Sequence, residues 1–80
     1  MINYYKMRVS FYRIDTDSKS FTQVNDAEDA LSVGVIKNER AFTAMSKVIS
    51  DNKDGEFLGI SEETFNFAKQ KILQQLQGVE

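Results

Sequence analysis

From Tyr4 to Tyr12 the side chains fall into two alternating rows. Tyr5, Met7, Val9 and Phe11 make one row; Tyr4, Lys6, Arg8, Ser10 and Tyr12 make the other. Period two is the spacing of a half-buried strand. It predicts a strand over residues 3–14 with the first row toward a core and the second toward solvent. The polar stretch Asp15–Ser20 then reads as a loop, and a second strand at about Phe21–Val24 returns antiparallel as a hairpin.

Further along, the period changes. Asn25 or Asp26 fits the cap of a short helix through Ala27, Glu28, Asp29, Ala30 and Leu31. Val33–Ile36 reads either as a buried strand or as a connection broken at Gly34. Asn38 caps a clearer helix to about Ser50, with Ala41, Phe42, Met45, Val48 and Ile49 along one side. Asp51–Gly55 reads as a turn, and Glu56–Ile60 as a short strand or an extended connection. Ser61 caps the last helix, whose stripe is Phe65, Ala68, Ile72 and Leu76 with Leu73 beside it, and Gly78 stands at its end. The order is ββαα, with or without a third strand, then α. The fold class expected is α+β: a small antiparallel sheet with two to three helices packed on one face.

Eighty residues allow one domain, 1–80. A chain of this size buries roughly 63% of its unfolded surface, so the core is thin. With no cysteine there is no disulfide or thiolate metal site to reinforce it. Small secreted domains usually need such staples, which tilts the expected location toward the cytoplasm. No stretch is apolar for long enough to span a bilayer. Lys6 and Arg8 interrupt the first apolar run, unlike a signal peptide.

Histidine is absent as well. Without His or Cys, the Ser-His and Cys-His nucleophilic pairs are excluded, and the commonest general base is missing. A site built on two carboxylates would need a cleft. The expectation is a protein that is not an enzyme and takes no cofactor.

Residues 50–61 resemble an EF-hand calcium loop in part. Asn52, Asp54 and Gly55 fall at its third, fifth and sixth positions, and Phe57 at its apolar eighth. Ser50 and Ser61, however, stand where the first carboxylate and the bidentate Glu belong. An Asp-Gly turn followed by a helix cap explains the same residues, so no metal is expected. Leu58–Ser61 before the last helix also looks like the turn of a helix-turn-helix. That helix opens with Glu62 and Glu63, which repel phosphates.

Net charge is −2, an ordinary balance. Residues 1–20 carry Lys6, Arg8, Arg13 and Lys19 against Asp15 and Asp17, a local +2; the remainder sums to −4. The first candidate binding surface is therefore Tyr4, Lys6, Arg8 and Tyr12, because Tyr and Arg are frequent interface anchors. The second is the acidic group Asp26, Glu28 and Asp29, which capping and the helix dipole would already explain. The expectation is a binding protein that occupies a surface of a larger protein or nucleoprotein complex, as monomer or homodimer, with weak or no direct nucleic-acid binding. Phage and mobile-element inhibitors such as anti-CRISPR or host-takeover proteins are the class of small chain this suggests. The alternative is a small DNA-binding regulator using the C-terminal helix.

Overall fold

The computed structural model describes residues 1–52 and 55–78. Five strands and two helices follow one another: β1 Ile2–Met7, β2 Ser10–Asp15, β3 Ser20–Ala27, β4 Ala30–Ile36, α1 Glu39–Asp51, β5 Leu58–Gly59 and α2 Glu62–Gly78. The strands form one antiparallel sheet in the order β4-β3-β2-β1-β5. The class is α+β.

The long first strand is two strands. Arg8 takes a left-handed φ of 56°, and the chain reverses through Arg8 and Val9. Twelve extended residues would run to about 40 Å, twice the usual strand length. Folding back lets the two halves pair instead. The register joins Tyr5 to Tyr12 and Lys6 to Phe11, so odd positions of β1 lie beside even positions of β2. Tyr5 and Met7 therefore share a face with Tyr12 and Ile14, while Phe11 points to the opposite face with Tyr4. The expected row of Tyr5, Met7, Val9 and Phe11 is divided, and Val9 is half exposed at the turn.

The expected hairpin with residues 20–24 is present as β2–β3, in register from Asp15↔Ser20 to Ser10↔Asn25. The expected helix over 26–31 is absent. Glu28 and Asp29 form a two-residue turn, and β3 continues into β4 from Ala27↔Ala30 to Phe21↔Ile36. A five-residue helix buries little. The hairpin instead pairs seven further residues and brings Leu31 and Val33 against the fully buried Val24. Val33–Ile36 is thus strand.

Each helix packs on a sheet face, but on different ones. Adjacent strand residues point oppositely. Phe11 clusters with Val24 and with Phe65, Ala68 and Ile72 of α2; its neighbour Tyr12 clusters with Ile14, Phe21 and with Phe42, Met45 and Ile49 of α1. Dividing the first row at Arg8 gave both faces apolar side chains, so both needed cover. The caps fall where expected. Asn38 accepts the Ala41 N–H at 3.1 Å, and Ser61 Oγ accepts the Thr64 N–H at 3.1 Å. Val48, expected beside the α1 stripe, is more than half exposed.

Candidate interaction surface

The four residues Tyr4, Lys6, Arg8 and Tyr12 do not form one surface. Tyr4 is half-buried and packs its ring on Phe65, centroids 5.3 Å apart. Lys6 stays exposed on the same face, its ammonium 5.4 Å from the centre of the Phe11 ring. Arg8 occupies the turn and pairs with Glu56 at 3.0 Å. Tyr12 is buried on the other face, against Phe57. The Arg8–Val9 turn is the cause, since it reverses which row each later residue joins.

The acidic residues lie on the β3–β4 hairpin and not at a helix start. Asp26 lies on β3, where its carboxylate is 3.6 Å from the Lys71 ammonium on α2. Glu28 and Asp29 form the exposed turn beyond it.

The calcium-loop resemblance fares differently. Asp54 lies outside the described residues. Asn52, its third-position ligand, already spends its side-chain oxygen on the Phe57 N–H. No group of three or more metal-ligating side chains occurs among the described residues. The helix-turn-helix geometry is not formed either: Leu58 and Gly59 pair with Lys6 and Tyr5 of β1, and the two helices lie on opposite faces.

Two of the surface hollows are lined by described residues. The larger of these two, about 500 Å³, runs along Glu39, Arg40, Thr43, Ala44 and Lys47, all on α1. The smaller, about 160 Å³, lies between α1 and β1–β2 and is lined by Asn3, Tyr5, Ile14, Thr16, Ser46, Ile49 and Ser50. Neither brings two carboxylates together.

The surface that sequence reading overlooked is the outer edge of β4. β4 ends the sheet, and among the described residues nothing pairs with its outer side. Its seven residues, Ala-Leu-Ser-Val-Gly-Val-Ile, carry no charge and no proline. The Asp26 N–H donates to the Val9 carbonyl at 2.8 Å, on the β2 side of β3. Backbone polar groups alternate sides along an antiparallel strand, so Asn25 and Ala27 turn theirs toward β4. Their partners Ser32 and Ala30 answer them, and Leu31, Val33 and Val35 direct their N–H and C=O groups outward. Val35 is 57% exposed. The alternation of Leu31, Val33 and Val35 with Ala30, Ser32 and Gly34 is the signal that would have revealed this strand.

No family model, curated protein or solved structure matches the chain. No described helix is long and apolar enough to cross a membrane.

Proposed function

We propose that this chain is a non-enzymatic binding domain whose working surface is the open edge of β4, where an extended segment of another polypeptide adds to the sheet. The observation that carries this reading is a seven-residue terminal strand without charge. Sheet proteins ordinarily blunt such an edge with Lys, Pro, a bulge or a covering element, because outward N–H and C=O groups template strand pairing. Strand addition uses those groups for affinity and alternate side chains for selection. Here the outward groups of Leu31, Val33 and Val35 supply the first, and the exposed Val35 side chain contributes to the second.

A recognition role for α2 has less support. Phe65, Ala68 and Ile72 are committed to the sheet, Lys71 is beside Asp26, and the helix begins with Glu62 and Glu63.

The test is site-specific photocrosslinking in the source cell. A photoreactive phenylalanine replaces Val35 in one variant and Thr43, on the outer side of α1, in another. A protein adduct formed from position 35 and not from position 43 is the expected result. Equal labelling from both, or none from position 35, would refute the proposed surface.

A further inference from the structure

We propose that the chain which adds to β4 is a second copy of this protein, paired antiparallel about a two-fold axis at Val33. This rests on reading the β4 edge as a docking surface and goes on to name its occupant.

The strand is self-complementary in the register that overlaps all seven residues. With Val33 opposite its own copy, Leu31 falls opposite Val35, Ser32 opposite Gly34 and Ala30 opposite Ile36. Outward-facing backbone meets outward-facing backbone throughout, because Leu31, Val33 and Val35 pair only with one another. An isologous contact needs a patch that matches itself in this way. On the α2 side the facing side chains are all Leu or Val. On the other side small residues meet Ile or each other, and no charge lies anywhere in the strand.

The charges lie just outside the strand, and they match too. Carried one residue past each end of β4, the same register brings Asp29, in the turn before it, toward Lys37 of the second copy, after it; the symmetry makes two such pairs. Both residues are exposed, and neither joins an ion pair within the chain among the described residues. Like charges at these positions would have spoken against self-association.

α2 packs on the sheet face that carries Leu31 and Val33. α2 crosses the sheet from Tyr4, under Phe65, to Leu31 and Val33, which pack in the same cluster as Ile72. Leu73, directly after Ile72, and Leu76, one turn further, are exposed. In the proposed pairing Leu31 stands beside the exposed Val35 of the second copy. A seven-residue strand is only about 23 Å long. Its pairing falls in the small-interface class, and a micromolar dimer is expected.

Sedimentation velocity over a concentration series tests the inference, with each variant first shown to be folded by circular dichroism. The wild-type chain is expected to shift with concentration from 9.2 kDa to twice that mass. Val35→Lys sets an ammonium against Leu31 of the other copy and is expected to stay monomeric over the same range. Asp29→Lys and Lys37→Asp should each weaken the dimer several-fold, and the double variant Asp29→Lys/Lys37→Asp should recover most of the loss. A purely structural role for either residue would not give that recovery. A wild type that remains monomeric at its solubility limit overturns the second copy as occupant, whereas an adduct to a different protein from position 35 would leave the docking edge standing. A dimer insensitive to Val35→Lys, or charge reversals without recovery, also overturns the inference. Such a dimer together with no adduct from position 35 overturns both readings.

Discussion

The side-chain amide of Asn52 pairs with both backbone polar groups of Phe57: Nδ2 donates to the carbonyl and Oδ1 accepts the N–H, each at 3.1 Å. Asn52 is also the C-cap of α1, in a left-handed conformation with φ 34°, and its own N–H returns to the Val48 carbonyl. One residue thus ends the helix and holds the start of the path to β5. Phe57, fixed in this way, sets its ring 5.9 Å from that of Tyr12 and closes the cluster beneath α1.

Asn52→Ala is expected to destabilise the fold by about 2–3 kcal/mol. It leaves two half-buried backbone groups of Phe57 without partners and puts a β-carbon in the left-handed region. Asn52→Gly loses the same hydrogen bonds but tolerates the backbone, so its cost should be smaller. Urea unfolding of both variants checks the order; equal costs would show that backbone conformation is not involved.

Arg8 raises the opposite expectation. Its ion pair with Glu56 is largely exposed, and such pairs contribute little. Its φ of 56° disfavours a residue with a side chain. Arg8→Gly should therefore leave stability unchanged or raise it by up to about 1 kcal/mol. A clear fall in the denaturation midpoint would assign the ion pair more weight than its exposure suggests.

Phe65 and Ile72 are fully buried between α2 and the sheet. Truncating either to alanine removes apolar burial and leaves a cavity, at about 3–5 kcal/mol for Phe65 and 2–5 for Ile72. A thin core has little more than that to lose, so both variants should be substantially unfolded at 25 °C. Val48→Ala, on the exposed side of α1, should change stability by less than about 0.5 kcal/mol. Thermal unfolding followed by circular dichroism separates the two outcomes.

Asp15 gives the fold one source of acid sensitivity. The Ser18 N–H, and then the Ser18 hydroxyl and the Asp17 N–H, hold its carboxyl below the ordinary value of 3.8. A carboxyl whose folded pKa is depressed contributes stability above its unfolded pKa and loses it as pH falls through the folded value. Asp15→Asn should therefore make stability less dependent on pH below about 4. Denaturant midpoints at pH 7 and across the acid range check this, and an unchanged acid slope would remove Asp15 from the account.

Local chemistry was legible in the chain. Asn38 and Ser61 cap their helices because a side-chain oxygen three residues ahead of a free N–H suffices for that. Phe42, Met45 and Ile49, like Phe65, Ala68 and Ile72, face inward because helical spacing brings them to one side. The hairpin between β2 and β3 follows from two apolar segments around a polar loop. Tertiary structure decided what depended on parity and pairing. Alternation looks the same whether a strand runs straight or reverses through two residues, yet the reversal at Arg8 and Val9 exchanges faces for every residue after it. That exchange buried Tyr12, separated it from Tyr4 and Lys6, and gave the sheet two apolar faces with a helix on each. Asp26, Glu28 and Asp29 suit a helix start and a hairpin turn equally well. Only the match of Val24 with Val33 and Phe21 with Ile36 across the strands selects the hairpin, and with it the uncharged edge of β4.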